Sequence, residues 1–525
     1  MGNLISLLKD AYSKLCALYK TITSLNEQYN RALKRINNPP PAPSANPTKP
    51  YWHTEPPFPD LVDIQGDIPD EADVVIIGSG ITGAAAARAL VQLAPKPLRM
   101  VVLEARQLCS GATGRNGGHI KCTPYELFAE LRESLGEERA AEVVKFHMRH
   151  LDILKEVGEQ VSEGQVREVE TVDFFVDEED FAEAKESVEA AKQWLPGFEC
   201  GVWDADEARQ KFGASQFVVG ATSYRAGALW PYRLVTSIWN DLLRQQPNNL
   251  VISTHTTVEA VTVNQSARPY IHHVQTSRGP IAARHVLHAT NAYAPYLVPS
   301  LVGSLAGFKG VMTAQRPGED FPVSEPERSW SIIHEPDYEY ITQLAPDRAK
   351  GETQGLLMVG GAFMRSQKGG VDQWGMWEDE TMDALVTMTI AGSMETAFEG
   401  WGRGGGIVSA WSGIIGMTGD TMPFVGRIGE TKAGEVLSMR GERTAEPGQW
   451  ISAGYSGEGM VTAWLSATAV AIMILDLQNV ELEGANGIPA GKLRTWFPKE
   501  EFGMDRKRMK RADLRNFAGD FFQTP

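Results

Sequence analysis

Residues 74–83 read VVIIGSGITG, an apolar strand that runs into a glycine-rich turn and the first residues of a helix. In that setting the G-x-G-x-x-G spacing is a dinucleotide-binding fingerprint. Gly78 is expected to make the tight turn, Gly80 to let backbone N–H groups approach a pyrophosphate, and Gly83 to allow close packing of helix on strand. The next strand ends at Glu104, where an acid accepts the hydroxyls of an adenosine ribose. The cofactor contacts predicted on this unit are Gly78, Gly80, Ile81, Thr82, Gly83, Glu104, Ala105 and Arg106.

Outward from this turn the chain alternates strands with helices, as α/β folds do. A strand at 72–77, a helix at 82–93 and a strand at 99–103 form one βαβ unit. Related strands are predicted at 251–253, 285–289 and 450–453, with helices at 232–244 and 460–475. A second, antiparallel sheet is predicted from strand-like segments at 171–176, 331–333, 338–343 and 356–359.

Two further glycine clusters accompany the first. Residues 110–119 read SGATGRNGGH, and residues 454–460 read GYSGEGM between a predicted strand and a predicted helix. A nicotinamide-binding domain has no counterpart of the cluster at 110–119. A cofactor with a ribityl chain and a second ring system needs exposed backbone amides beyond the first turn, and this cluster could supply them. The later cluster offers another helix N-terminus to the same ligand, with a purely structural turn as the alternative.

Composition and charge exclude several classes of protein. The chain has 525 residues, a net charge of −16 and four cysteines. The acidic charge argues against nucleic acid as the main partner. The cysteines form neither a disulfide framework nor a zinc-type spacing, and we find neither a signal peptide nor an apolar run long enough to span a bilayer. We therefore expect a cytoplasmic protein.

The first 36 residues predict one amphipathic helix with a coiled-coil heptad. Its apolar positions are Leu8, Ala11, Leu15, Leu18, Ile22, Leu25, Tyr29, Ala32 and Ile36, and the segment carries six basic and two acidic side chains. Such a helix dimerises, lies on an anionic membrane surface, or packs on its own domain. Residues 1–6, MGNLIS, also fit the loose pattern for N-myristoylation of Gly2, which would make the protein a peripheral membrane protein.

Six ordered motifs carry a resemblance to a known family. They are residues 74–83 with Glu104, 111–118, 227–231 (GALWP), 288–293 (HATNAY), 417–424 and 454–460. Together they resemble the FAD-dependent oxidoreductases of the D-amino-acid oxidase type, which include glycine oxidase, sarcosine oxidase and gamma-glutamylputrescine oxidase. The form GATGRNGG is most similar to the last of these branches. The resemblance spans about residues 70–480.

The resemblance implies FAD as the cofactor and a Rossmann-type FAD-binding domain into which an antiparallel-sheet substrate domain is inserted. The further FAD contacts that it implies are Gly111, Ala112, Thr113, Gly114, Arg115, Asn116, Gly117, Gly118, Val258, Ala289, Thr290, Gly454, Ser456, Gly457, Glu458, Gly459 and Met460. The expected division is a helix at 1–38, a Pro-rich linker at 39–70, the FAD-binding domain at 71–160, 220–300 and 405–485, the substrate domain at 161–219 and 301–404, and a basic C-terminal tail at 486–525.

Family members oxidise a C–N bond of an amine or amino-acid-like substrate by hydride transfer to flavin N5. Two departures from the pattern matter. No cysteine follows Cys200, so the cysteinyl attachment of sarcosine oxidases is excluded and noncovalent FAD is expected, a histidine link staying open. The strand resembling the one that carries their flavin-side lysine has Leu356, Leu357 and Met358 instead, which puts fast reaction with oxygen in doubt.

His119, Lys121, Tyr338 and Tyr340 are the candidate catalytic residues, and no metal site is predicted. The histidine is as well explained by a structural hydrogen bond, and the tyrosines by a place in the core. Arg365 is a further candidate for holding a substrate carboxylate, and Trp374, Trp377 and Trp411 for lining the pocket. Two other functions stay open: a flavoenzyme that oxidises or cyclises a larger secondary metabolite, and a membrane- or partner-anchored flavoprotein with vestigial catalysis.

Overall fold

The computed structural model describes residues 2–321, 327–334, 336–346, 348, 354–429 and 446–516. In α1 the side chains of residues 2–13, 15, 17, 21 and 22 lie outside that description. The helices are α1 Gly2–Ile36, α2 Pro59–Val62, α3 Ile81–Leu93, α4 Pro124–Leu135, α5 Glu137–Gln160, α6 Glu178–Trp194, α7 Ala205–Phe212, α8 Pro231–Gln245, α9 Ala294–Leu297, α10 Ala384–Ala397, α11 Ala463–Ile474, α12 Lys499–Phe502 and α13 Arg506–Arg511.

The first sheet contains the glycine-rich fingerprint. Its strands are β1 Glu71–Ile77, β2 Met100–Leu103, β7 Leu250–Ser253, β8 Val258–Val263, β9 His272–Thr276, β10 Gly279–His288, β16 Phe424–Arg427 and β17 Gly448–Ala453. Their order is β16-β17-β10-β1-β2-β7, and β1 pairs in parallel with both β10 and β2. Because β1 is central and parallel, its carboxyl end opens into the crevice where α/β sheets bind ligands.

The second sheet is mostly antiparallel. Its strands are β3 His119–Ile120, β4 Arg167–Phe175, β5 Cys200–Asp204, β6 Gly220–Ala228, β11 Leu305–Arg316, β12 Arg328–His334, β13 Asp337–Gln343, β14 Leu357–Gly361 and β15 Gly406–Thr418. Their order is β15-β11-β14-β13-β12-β4-β6-β3, with β5 beside β6 and with β12 parallel to β4. The predicted α/β architecture with two sheets is confirmed.

Helix α3 follows β1 and is rich in alanine, whose small side chains allow neighbouring elements to approach closely. Residues 84–87 are four consecutive alanines, all buried, and they let α11 pack closely against this helix. Close helix packing on the central strand leaves the α3 N-terminus directed at the crevice. The glycine-rich fingerprint therefore lies between the buried end of β1 and the buried first turn of α3.

The strand pairing crosses the predicted domain ranges. Strands β3, β6 and β15 fall in ranges assigned to the FAD-binding domain, yet all three pair within the second sheet. Residues 39–54, predicted as part of a linker, pack along the body; we call this segment the N-terminal strap. Thr48 donates its backbone N–H to the Asp379 carbonyl at 2.7 Å, and the buried Trp52 indole N–H bonds the Asn116 carbonyl at 2.5 Å. Prolines exclude a helix here, but they do not prevent an extended segment from packing.

The C-terminal segment is packed as well. Arg508 is 1% exposed, bonds the Asp420 carboxylate at 2.8 Å and lies 4.5 Å from the centre of the Phe424 ring. Within the basic run, Arg508 and Arg511 lie against Asp420. The other basic side chains up to residue 516 are exposed: Arg506, Lys507, Lys510 and Arg515. Residues 517–525 of the predicted basic tail lie outside the described residues.

Helix α1 docks on the body through its last turn. Ala32 and Ile36 are buried there, and the Arg35 guanidinium donates to the Trp374 carbonyl at 2.8 Å. Farther toward the N-terminus the stripe is exposed, as the exposures of Leu18 (60%), Tyr19 (71%) and Leu25 (43%) show. Intramolecular docking therefore covers the last turn and leaves this part of the predicted stripe uncovered. Within the described residues no helix is both long and apolar enough to cross a membrane.

Candidate active site

A cavity of about 530 Å³ lies at the carboxyl end of β1, and residues from both sheets line it. The first glycine turn forms one wall. Gly78 has φ +110°, and a Cβ atom there would lie 2.6 Å from the Ala289 carbonyl oxygen. A Cβ on Gly83 would lie 2.2 Å from the Gly78 oxygen. Glycine is required at both positions because backbone atoms occupy the space of a side chain.

Glu104 is fixed in orientation at the end of β2. Its carboxylate accepts hydrogen bonds from the Ser79 hydroxyl at 2.7 Å, the Ser79 N–H at 3.1 Å and the Arg106 N–H at 3.1 Å. The side chain lines the cavity beside Val258. An oriented carboxylate in this place suits the hydroxyls of a ribose.

The second glycine cluster is held by a buried ion cluster. The Asp379 carboxylate lies 3.0 Å from Arg106 Nη1 and 3.4 Å from Arg115 Nε. Arg115 also donates to the carbonyls of Ser110 at 2.9 Å and Ser412 at 2.8 Å. Burial lowers the pKa of Arg115 to about 10, with Asp379 opposing the shift, so the guanidinium is charged at neutral pH. This cluster fixes residues 110–115 against the N-terminal strap and β15.

The third glycine cluster lies against the first. The Tyr455 hydroxyl is 2.9 Å from Thr82 Oγ1, and Asn291 Oδ1 accepts from the Gly454 N–H at 2.8 Å. Gly457 has φ +93°, and a Cβ atom on it would meet nothing within 4 Å, so its backbone is open to the cavity. Three segments distant in sequence therefore surround one space.

The cavity wall fits a phosphate-bearing dinucleotide such as FAD. Thr290 lines the cavity, and its buried hydroxyl has no hydrogen-bond partner among the described residues. A Cβ on Gly111 would meet nothing within 4 Å, so this backbone is also open to a ligand. Buried polar atoms are nearly always bonded, so an orphaned hydroxyl in the wall of a cavity that also exposes glycine backbone indicates a bound group.

Most predicted cofactor contacts line this cavity. They are Gly78, Gly80, Ile81, Thr82, Glu104, Ala105, Arg106, Gly111, Ala112, Thr113, Arg115, Asn116, Gly117, Val258, Ala289, Thr290, Ser456, Gly457, Glu458, Gly459 and Met460. Gly83, Gly114, Gly118 and Gly454 stand outside the lining. These four lie behind the wall, where a Cβ would meet other groups: Cys109 O at 2.4 Å for Gly114, Leu229 O at 2.4 Å for Gly118 and the Thr418 methyl at 2.7 Å for Gly454. For Gly83 this is the close packing that the sequence predicts. For Gly114, Gly118 and Gly454 a direct contact with the cofactor stays a prediction.

The candidate catalytic residues His119, in β3, and Lys121, just after it, also line the cavity. His119 Nε2 lies 2.8 Å from the Ser329 hydroxyl, and burial keeps its pKa well below its ordinary value, so the ring is neutral. Lys121 Nζ lies 2.5 Å from Asp173 and 2.6 Å from the Ser331 hydroxyl. Both side chains are therefore held by polar partners beside the cavity rather than in apolar core.

Tyr338 and Tyr340 of β13 line the cavity too, with ring centroids 6.3 Å apart. The Tyr340 ring lies close to Gly117, where a Cβ would come within 2.5 Å of it. Arg365, 47% exposed and beside Asp337 and His334, is outside the lining. Trp374, Trp377 and Trp411 are also outside it; the Trp411 indole N–H bonds the Arg115 carbonyl instead.

Sequence reasoning missed four groups of this site. Glu126 and Glu130 of α4 and His147 of α5 line the cavity, and Asp379 holds the second glycine cluster. No glycine motif marks these residues, and acids on an amphipathic helix usually indicate a solvated face. Glu458, a predicted FAD contact, is exposed to the cavity, and enclosure by the cavity walls raises its pKa to about 7, with Lys121 opposing the shift and Glu130 adding to it. A carboxyl group titrating near neutrality is suited to proton transfer.

Comparison with known proteins places the chain in a family. The family model described as "FAD dependent oxidoreductase" (DAO) matches residues 73–473. The chain is 22% identical over 407 residues to gamma-glutamylputrescine oxidoreductase of Escherichia coli, covering 77% of this chain and 83% of that protein. It is 24% identical over 251 residues to the probable oxidoreductase OrdL of Haemophilus influenzae, covering 46% of this chain and 53% of that protein.

Solved structures share the fold. Glycine oxidase from Geobacillus kaustophilus superposes with a TM-score of 0.60 and 17% identity, over 83% of this chain and 99% of that one. L-proline dehydrogenase from P. horikoshii gives a TM-score of 0.58 and 18% identity, over 78% of this chain and 96% of that one. The family model spans both sheets and all three glycine clusters. The chain therefore belongs to the DAO family of FAD-dependent oxidoreductases.

Proposed function

We propose that the protein oxidises the C–N bond of an amine or amino-acid-like substrate. The observation that carries the proposal is one cavity whose wall joins the dinucleotide turn at Gly78 to a polar end with Lys121, Tyr338 and Glu458. The names of related proteins support it, since they include a gamma-glutamylputrescine oxidoreductase, a glycine oxidase and an iminodiacetate oxidase.

In this reaction the substrate loses a hydride from carbon and a proton from nitrogen. The C–N single bond becomes an imine, which water hydrolyses to a carbonyl compound and an amine or ammonia. FAD, when bound, supplies the acceptor of the hydride and its two electrons. No cysteine after Cys200 is present to tether it, so noncovalent binding is part of the proposal. Flavin that is released by acid precipitation of the protein would support this mode.

The chain's own residues would orient the substrate and receive its proton. Glu458 is the proposed proton acceptor, because its side chain lines the cavity and is exposed to it, and a pKa of about 7 leaves the carboxyl group ionised above neutrality. Lys121 supplies positive charge to one wall and is kept there by Asp173. Tyr338 and Tyr340 supply aromatic surface on which an amine packs.

The bound chromophore tests the proposal directly. Purified protein is expected to show a flavin spectrum that bleaches anaerobically when a reactive amine is added. Colourless protein that cannot be reconstituted with FAD would contradict it. Yellow protein that no amine bleaches would favour one of the two other functions: a flavoenzyme that oxidises a larger metabolite, or an anchored flavoprotein with vestigial catalysis.

The pH profile provides a sharper test of Glu458. In the wild type, kcat/KM is expected to rise through pH 7 as the carboxyl group loses its proton, because only the carboxylate accepts one. Glu458→Gln is expected to lose this inflection and to lower kcat/KM by about 10²-fold or more. The rise caused by deprotonation of the amine itself stays at higher pH.

The matched control is Glu133→Gln, which alters an exposed glutamate of α4 outside the cavity wall. Its profile is expected to match the wild type. FAD content is measured for each variant by absorbance, which separates a lost base from a lost cofactor. An unchanged inflection in FAD-loaded Glu458→Gln protein would remove this residue from the proposed role.

We propose further that residues 14–30 of α1 contact a second copy of the chain or an anionic membrane surface. Exposed Leu18 and Leu25, in a segment that also contains Lys14 and Lys20, support such a contact. Deleting residues 1–28 keeps the docked turn at Ala32 and Ile36. The shortened protein is expected to lose self-association in sedimentation analysis or binding to anionic liposomes, and unchanged values for both would contradict the proposal.

A further inference from the structure

The inference concerns the N-terminal strap, residues 39–54, which precedes the part of the chain that the family shares. The family model matches residues 73–473, so the strap is an addition to the family core. One of its residues, Pro43, lines the cavity itself. The strap therefore belongs to the wall of the cofactor cavity although it lies outside the family sequence.

The Thr48 hydroxyl joins the strap to the second glycine cluster. It accepts a hydrogen bond from Arg115 Nη1 at 3.2 Å and another from the Ser412 N–H at 3.0 Å. It donates in turn to the Asp379 carbonyl at 2.9 Å, which also accepts from the Thr48 N–H at 2.7 Å. One strap residue thus bonds an arginine of the cluster, strand β15 and the segment that carries Asp379.

The strap follows the cluster on either side of that point. Before it, the Ser44 carbonyl accepts from Arg106 Nη1 at 3.4 Å. After it, the Trp52 indole N–H bonds the Asn116 carbonyl at 2.5 Å, and the Trp52 ring would lie 3.2 Å from a Cβ atom on Gly118. The Trp52 side chain is wholly buried. The contacts of the strap therefore extend along the chain from residue 106 to residue 118.

The residues that the strap bonds also face the cofactor cavity. Arg115 and Asn116 both line it, and the open backbone of Gly111 precedes them in the same cluster. A ligand that a loop encloses leaves when the loop moves outward. Here that movement requires the bonds of Arg115 to Thr48 and of Asn116 to Trp52 to break first.

From these contacts we infer that the N-terminal strap retains FAD: it holds the second glycine cluster against the bound cofactor, and FAD is released after the strap has undocked. Thr48 and Trp52 are positioning residues, since they act on the cofactor through Arg115 and Asn116. The inference concerns the rate at which the cofactor leaves. It does not depend on which substrate the protein oxidises, so failure of the proposed amine oxidation would leave it standing.

Amide hydrogen exchange tests the inference on the unmodified protein. If strap docking favours FAD binding, FAD binding must favour strap docking by the same factor. Exchange is compared in wild-type protein with FAD bound and after its removal. The Thr48 N–H is expected to exchange at least about tenfold faster in the apoprotein. Equal rates in the two states, or the same increase throughout the distant helix α6, would overturn the inference.

Removing one hydroxyl tests the strap bonds. Thr48→Val keeps the shape of the side chain, and it is expected to raise the rate constant of FAD release about tenfold because fewer bonds hold the cluster. Thr48→Ser keeps the hydroxyl and is expected to restore slow release. The rate is measured as exchange of bound FAD for excess isotope-labelled FAD. Trp52→Phe removes the bond to Asn116 and is expected to speed release as well, which keeps the test open if Thr48→Val does not fold.

The matched control is Thr313→Val in β11. The buried Thr313 hydroxyl donates to the Val359 carbonyl at 3.2 Å and accepts from the Gln315 amide at 3.0 Å, and Thr313 is outside the cavity lining. This variant also loses a bonded hydroxyl, and it is expected to release FAD at the wild-type rate. Release at the wild-type rate from Thr48→Val and Trp52→Phe, or equally fast release from Thr313→Val, would overturn the inference.

Discussion

Replacing Asp379 with asparagine is expected to lower the free energy of unfolding by about 3–5 kcal/mol and to yield protein that does not retain FAD. The Asp379 side chain is 2% exposed and lies between the side chains of Arg106 and Arg115, which are 10% and 2% exposed. Without its charge two guanidinium groups stay buried without compensation. Because these arginines hold residues 106–115, the loss should reach the second glycine cluster. Denaturant unfolding and flavin absorbance measure the two effects.

The control is another aspartate paired with an arginine, but on the surface. Asp206 bonds Arg209 and is 90% exposed, so Asp206→Asn is expected to change stability by less than about 1 kcal/mol. Both variants lose one negative charge, which removes net charge as an explanation. An Asp379→Asn protein with wild-type stability and colour would show that the buried cluster does not support the cofactor loop.

The parts of the site that sequence predicted are local in the chain. A strand, three glycines and a helix follow one another within residues 74–83, so the turn can be recognised from consecutive residues. Glu104 has a fixed distance from that turn because the βαβ unit sets the spacing. These features were predictable because backbone geometry alone requires them.

The parts that were missed depend on pairs far apart in sequence. Asp379 contacts Arg115 from a segment between β14 and α10, and no pattern in residues 370–383 marks it as a partner. Glu126 and Glu130 look like the solvated face of an amphipathic helix until the third glycine cluster is placed opposite them. These contacts depend on the packing of segments that are far apart in sequence. The hydrophobic periodicity of a single segment does not reveal which distant segment it will meet.

Strand orientation explains why Trp411, one of the three tryptophans predicted to line the pocket, lies outside the cavity lining. Side chains alternate between the two faces of a strand, and one sequence does not say which face meets the ligand. Trp411 is buried behind the second glycine cluster, where its indole N–H bonds the Arg115 carbonyl at 2.8 Å. The N-terminal strap is a similar case, since a proline-rich composition predicts extended backbone and leaves open what that backbone packs against.

Replacing Gly83 with alanine is expected to raise the dissociation constant of FAD by about tenfold to a hundredfold, equivalent to about 1–3 kcal/mol of overpacking. The added methyl group would lie 2.2 Å from the Gly78 carbonyl oxygen and 3.3 Å from its carbon. Backbone atoms cannot rotate away as a side chain would, so the turn or the start of α3 must shift. Either movement displaces the N–H groups that face the cavity. Quenching of FAD fluorescence on titration of apoprotein gives the dissociation constant.

The matched control is Gly392→Ala in α10, where a Cβ atom would meet nothing within 4 Å. Alanine removes backbone freedom from the unfolded chain there, so this variant is expected to gain about 0.5–1 kcal/mol of stability and to bind FAD normally. The two substitutions are chemically identical and both sit in helices, so a difference between them isolates the contact with Gly78. Normal FAD affinity in the Gly83→Ala protein would mean that the turn at 78–83 does not carry the cofactor, and the assignment of the remaining glycine clusters would then need another basis.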